Sequence, residues 1–274
     1  MYEEAEMSAT THGARPVPAP ATHVTSRARE LAAEVHRSAA VGRFTPGLLE
    51  FHPEPARRWL KRVIDLGTPL YTGALVRMHG EINLGHWHAF EAVQTLVPGS
   101  GFVWSARTHV GHLPVRGFDA LVDAVGRQEW HVLGLPLLTA KGPDDSRSAA
   151  DRLAADAVLV PTTLVDASWR GYPHDTDAAS YSLPVHGRYS RPRVRIQVDQ
   201  DGRLELVRMQ RWGELPSGGY GSRTFYVDFA DEFPAAGLRM PDGIRAAWYD
   251  DRGCRQEFFR ARLDAVELRA DGAA

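Results

Sequence analysis

Cysteine is almost absent from this chain: Cys254 is the single one among 274 residues. No internal disulfide can form, so stability has to come from a packed core, and a reducing compartment suits the composition. An excess of charge is missing too. The 32 basic and 34 acidic residues leave a formal net charge of -2, which disfavours a nucleic-acid partner, because that affinity rests on basic surface meeting phosphate. No apolar run approaches the roughly 18 residues that a membrane-spanning helix needs. The opening "MYEEAEMSATTHGARPVPAPATH" lacks the apolar stretch of a signal peptide, so a cytoplasmic location is expected. Motifs for common chemistries are missing as well: there is no HExxH, no paired CxxC and no GxSxG elbow. "PSGGYGS" is glycine-rich, but it lies between strand-like runs with no helix start to hold a phosphate, and reads as a flexible loop. The expectation is a protein without cofactor, metal or membrane span.

What is present is ordinary globular material, 43% hydrophobic and 24% charged, which is ample for a core. Residues 1–24 are rich in Pro, Ala and Thr and are expected to form a disordered tail. Residues 25–274 show no second composition regime and are expected to form one domain. Ser26 is placed to cap a helix reaching to about residue 40, with Leu31 and Val35 on one face. In "PEPARRWLKRVIDLG" the apolar Ala56, Trp59, Leu60, Val63 and Ile64 recur at helical spacing. Pro55 suits the first turn and Gly67 a left-handed C-terminal cap.

From residue 72 the period changes to two. Ala74, Val76, Met78, Ile82 and Leu84 alternate with Arg77, His79 and Glu81, as in a half-buried strand. "HAFEAVQTL" and "GFVWSARTHV" continue the pattern across a short turn at Pro98–Gly101. Strand-like runs follow near 114–124 and 127–133, then a helix in "SAADRLAADAVL" with Ser148 and Asp151 in capping-box spacing. "RVRIQVDQDGRLELVRM" is a hairpin turning at Asp201-Gly202, and "RTFYVDF", "IRAAWYD" and "FFRARLDAVEL" are further strands. Consecutive antiparallel strands with few helices predict an α+β fold: one strongly curved antiparallel sheet over 72–268, half-barrel or barrel-like, with the 54–66 helix packed on it through Trp59 and Val63.

Candidate chemistry is sparse. His86 and His88 share a strand face, whereas His109 and His112 do not, so the 12 histidines do not converge on the three or four ligands that a zinc or iron site needs. Cys254 follows a turn and reads as a packing residue. Asp156 is the carboxylate most open to acid–base work, one helical turn from Arg152, which would hold it ionised. Glu91, on the strand face opposite Phe90, and His131, beside Trp130, are the other candidates, since a histidine in an enclosed position is the usual proton-transfer group. Arg191, Arg193 and Arg195 alternate with Val194 and Ile196 as the solvated side of a sheet does. The aromatic set weighs more. Trp87, Trp104, Trp130 and Trp169, with Tyr181, fall on or beside strands of one sheet and carry N–H and O–H groups that need partners. A sheet curved around an aromatic-walled, partly polar cavity meets both demands, and makes these five residues and Arg152 the candidate substrate-binding set.

The segments "PEPARRWLKRVIDLG", "GEINLGHWHAFEAVQTLVPGSGFVWSAR", "PVRGFDALVDAVGR", "RLAADAVLVPTTL" and "VDQDGRLE" resemble, in order, the bacterial family DUF6544, also known as DUF6920. The likeness runs from about residue 50 to the C-terminus; "FVW" and "VPTTL" are its most specific phrases. The chain departs from the family in carrying Asp156 where members tend to have Glu, and Leu159 close to a usual aromatic. The resemblance implies a shared fold and shared pocket positions and no particular chemistry. By analogy of strand order the fold is similar to the half-barrel lipid carriers of bacterial envelopes.

Two functions fit these residues. One is a cofactor-independent enzyme of cyclase or isomerase type, in which shape and one acid or base act on a hydrophobic small molecule in a dry cavity. The other is a non-catalytic binder or carrier of a lipid-like molecule. The supply of His, Asp and Glu tilts the sequence reading to the enzyme, and the direction in which Asp156, Glu91 and His131 point discriminates the two.

Overall fold

The computed structural model describes residues 25–35, 42–184, 191–250 and 253–270. The tail predicted at 1–24 and the end of the first predicted helix lie outside the described residues. Six strands, β1 (Gly73–Asn83), β2 (Trp87–Val97), β3 (Gly101–Val110), β4 (Leu113–Val122), β5 (Val125–Val132) and β6 (Leu135–Ala140), follow one another as a meander. Seven more, β7 (Ser168–Tyr172), β8 (Asp175–Ser182), β9 (Arg193–Val198), β10 (Leu204–Glu214), β11 (Tyr220–Ala235), β12 (Leu238–Tyr249) and β13 (Arg255–Arg269), form a second. Antiparallel pairing of β1 with β13 joins the two meanders into one 13-stranded sheet with β6 and β7 at its edges. Among the described residues three α-helices, α1 (Ser26–Glu34), α2 (Glu54–Val63) and α3 (Pro143–Asp156), and three short 3-10 turns complete the fold.

Contacts of α3 demonstrate the curvature. Ser146 Oγ accepts a 2.9 Å hydrogen bond from Gly126 N on β5, while Asp151 Oδ2 accepts one of 2.7 Å from Trp212 N on β10. In sheet order β5 and β10 are eight strands apart, which in a flat sheet means about 38 Å at ~4.8 Å per strand. One helix, about 10–12 Å wide, reaches both only if the sheet curls around it. The expected single curved sheet is therefore present; it is open, since β6 and β7 are not paired.

On the concave face the even residues of β1 to β3 meet the main core, as the period-two pattern predicts: Ala74, Val76, Met78, Phe90, Ala92, Leu96, Phe102 and Ala106 are all buried. α2 packs on the same cluster through Trp59, Leu60 and Val63, each side chain contributing about 1.5–3 kcal/mol by leaving water. α1 covers the convex face instead, where Leu31 and Ala28 pack on Val103, Phe118 and Ala120.

Several local expectations shift. Thr25, not Ser26, caps α1, its Oγ1 accepting from Ala28 N at 3.1 Å. α2 ends at Val63, and Gly67 takes its left-handed φ of 79° in the turn beyond, so it does not cap the helix directly. α3 begins at Pro143 rather than at Ser148: proline suits a first turn, and Ser148 and Asp151 lie inside the helix, with Asp151 turned to β10 instead of a cap. Arg193 and Arg195 lie on the solvated side of β9, as expected, where Arg195 pairs with Asp175.

Candidate functional site

Register decides what the concave face presents. Gln94, Trp104, Asp119 and Gln128 form one cross-strand row on β2 to β5. The next row is Ala92, Ala106, Gly117 and Trp130, and the one after it Phe90, Thr108, Val115 and Val132. Three of the smallest side chains thus sit in the middle of an otherwise bulky face. Above Ala106 lies a cavity of about 290 Å³, walled also by Phe90, Trp104, Val115, Trp130 and Leu138. Asp119 and Gln128 close one end, and Leu84, Val110 and Leu137, at the hairpin tips and on β6, surround the other.

Trp104 is the central wall residue. Its ring centroid lies 5.6 Å from Phe90, 5.9 Å from Trp130 and 6.2 Å from Phe259. Its Nε1 is buried and has no hydrogen-bond partner among the described residues.

A charged network forms the floor. The Asp119 carboxylate accepts 3.1 Å hydrogen bonds from Trp130 Nε1 and from Arg152 Nη1. Arg152 Nε lies 3.5 Å from Asp156 Oδ2, which also accepts a 2.8 Å bond from Gln94 Nε2. The Arg152 guanidinium is stacked over Phe102 and Trp104, 4.8 and 5.2 Å from their ring centroids. Burial raises the Asp119 carboxyl above its ordinary range, against the opposing pull of Arg152 and the Trp130 N–H. From β10, burial and then the Arg152 charge bring the Arg211 guanidinium down to about 10, despite Asp156, Asp151 and Asp119 nearby. Opposite charges on α3, β4 and β10 thus compensate one another beneath the apolar space.

Of the residues predicted for the site, the structure gathers Trp104, Trp130, Arg152 and Asp156. Glu91 and His131 lie on the opposite face because alternate residues of a strand point to opposite sides. They belong to an outer row of Glu91, Arg107, Arg116 and His131, in which Arg107 Nη2 bonds Glu91 at 2.6 Å. Trp87 is on that face too, beneath the Arg260 guanidinium. Trp169 and Tyr181 pair across β7 and β8 in the part of the main core under α2, outside the cavity lining, where Trp169 meets Trp59 and the Tyr181 O–H donates to Ala154 O at 2.7 Å. Sequence reasoning missed Asp119, Gln94, Gln128 and Arg211. The signal for Asp119 was available: on β4, Val115, Gly117 and Leu121 share its parity, and a carboxylate among them stands out.

A larger concavity of about 1090 Å³ surrounds Gly80, Gly243 and Ala261. Its walls carry the ion pairs Glu81–Arg260, Asp242–Arg262 and Asp228–Arg255, which makes it a poor receptor for an apolar molecule.

Fold and site together define a class: an open, curled antiparallel sheet that holds an apolar cavity on its concave side. The chain belongs to DUF6544, a family of unknown function, matched over residues 42–261. Among solved structures it is similar to a domain described as an outer membrane lipoprotein-sorting protein from Vibrio parahaemolyticus, at 9% identity and a TM-score of 0.39, covering 74% of this chain and 87% of that one. It is also similar to a LolA-superfamily protein from Nitrosomonas europaea, at 12% identity and a TM-score of 0.36, covering 78% and 92%. Comparison with curated proteins finds no match. No helix among the described residues is long and apolar enough to cross a membrane.

Proposed function

We propose that this protein binds a hydrophobic small molecule in the cavity above Ala106, between Trp104 and Trp130, as a non-catalytic binder or carrier. The observation that carries the reading is the small Ala106 among Phe90, Trp104, Val115 and Trp130, which leaves an aromatic-walled space where a side chain of ordinary size would close the core. A volume of about 290 Å³ lies at the small end of ligand pockets. The enzymatic alternative needs an acid or base facing this space. Glu91 and His131 are on the other side of the sheet, Asp156 is already engaged by Gln94 and Arg152, and Asp119, the carboxylate that does line the cavity, is held by Trp130 Nε1 and Arg152 Nη1, so the geometry favours the binder.

The test fills the space rather than removing a wall. Ala106→Leu places a larger side chain in the cavity, and a fluorescent probe with an alkyl chain is titrated while tryptophan emission is followed. Probe binding is expected to fall at least tenfold with the melting temperature kept or raised. Unchanged probe affinity in a folded Ala106→Leu protein defeats the proposal.

A further inference from the structure

Seven of the ten exposed large apolar side chains among the described residues gather at one end of the sheet. Leu84 is in the β1–β2 turn, Val110 and Leu113 flank the β3–β4 turn, Leu133 and Leu135 belong to the β5–β6 turn, and two more lie on β6. Alternate turns of an antiparallel meander share an end, so these three turns are neighbours. Leu133 and Leu135 are 68% and 69% exposed, far more than isolated surface leucines on a solvated sheet require. We propose that this end is a docking surface for an anionic lipid bilayer, from which the cavity takes up or delivers its ligand. The proposal rests on the hydrophobic-ligand reading above and adds the partner.

Local conformation is the first support. Leu133 and Gly134 make a two-residue turn with φ values of 50° and 84°. Such turns favour Asn-Gly, because a branched side chain at positive φ is strained. A leucine held there, and pointed at solvent, goes against both local preference and burial.

Continuity with the cavity is the second. Leu84, Val110, Leu137 and Leu138 are exposed and also line the cavity, so the apolar rim and the apolar interior form one surface.

Charge selects the occupant. Residues 83–88, 109–114 and 131–136 contain no Asp or Glu, and hold His86, His88, His109, His112 and His131. Behind the tips, the outer row places Arg107 and Arg116 against the single carboxylate of Glu91. Apolar tips that enter the headgroup layer, backed by cations that meet anionic lipid, suit a bilayer surface. A second copy meeting this one tip to tip would instead bring two sets of arginines together.

Vesicle flotation tests the proposal on the full chain, with vesicles of phosphatidylglycerol and phosphatidylcholine compared with phosphatidylcholine alone. Binding is expected with the anionic vesicles. Leu133→Asn is expected to weaken it on the order of tenfold, the share of one inserted leucine, and Leu133→Asn with Leu135→Ser to weaken it further. Asparagine accepts the turn conformation, so the melting temperature of Leu133→Asn should hold or rise. Neither position lines the cavity, so probe binding in solution should be retained; Ala106→Leu tests that cavity separately, so the two readings fail independently. Absence of binding to anionic vesicles, or binding that the leucine substitutions leave intact, overturns the proposal. So does a concentration-dependent dimer that both substitutions abolish without any vesicle binding, which assigns this end to a second copy.

Discussion

The indole of Trp130 lies across Gly117 of the neighbouring strand, where a Cβ on residue 117 would sit 2.5 Å from Trp130 Cδ2 and 2.3 Å from Glu129 O. One of those atoms is backbone and cannot swing away, so any side chain at 117 displaces β5 or the ring. Gly117→Ala should cost about 1–3 kcal/mol, as overpacking does, and should weaken probe binding because Trp130 moves off its wall position. Chemical denaturation read beside probe titration checks this. A Gly117→Ala protein with wild-type stability and affinity would show that Trp130 is free to reorient.

Asp151 ties α3 to the far half of the sheet through its 2.7 Å bond from Trp212 N. Asp151 is buried, and its removal leaves that backbone N–H without a partner. Asp151→Ala should therefore cost about 1–3 kcal/mol. Hydrogen exchange at the Trp212 amide should accelerate selectively, which distinguishes loss of this tether from general destabilisation.

How far the sequence was legible follows from what each signal depends on. Alternation is local, so β1, β2 and β3 were readable from Ala74, Val76, Phe90 and Trp104 alone. β6 was missed because "LPLLTA" does not alternate, its leucines being exposed on an edge strand. The start of α3 was placed too late because Ser148 and Asp151 have the spacing of a capping box, whereas the helix begins at Pro143, and proline is at home in a first helical turn. The site depends on a longer-range quantity. Trp104, Asp119 and Gln128 share a row only once the β3–β4 and β4–β5 registers are fixed. Which face is concave depends further on α3 touching both β5 and β10. Glu91 and His131 were assigned without that knowledge, and parity placed them outside.

Trp104 combines two roles, core packing and cavity wall. It is 3% exposed and packed on Phe90, Trp130 and Phe259, yet it also lines the cavity. Trp104→Ala should cost about 3 kcal/mol, the lower end for such truncations, because one side of the ring already faces open space. Probe affinity should fall in the same protein. Thermal melting with probe titration decides: a large loss of melting temperature with unchanged affinity would mark Trp104 as core alone.

Burial raises the Asp119 carboxyl above 3.8, with Arg152 and Trp130 opposing. Between 3.8 and its folded value, Asp119 therefore holds more proton in the folded protein than in the unfolded chain. Stability from this group is then present at low pH and declines as pH rises from 3.8 through the folded value. Burial raises Asp151 as well, but it is common to wild type and Asp119→Asn and cancels in their difference. The unfolding free energy of wild type minus that of Asp119→Asn should thus fall with rising pH above 3.8 and then level off. Denaturant titrations of both proteins across acidic to neutral pH measure that difference. If it rises instead, Arg152 stabilises the charged carboxylate by more than burial costs it, and the cavity floor holds a fixed ion pair rather than a carboxyl ready to keep its proton.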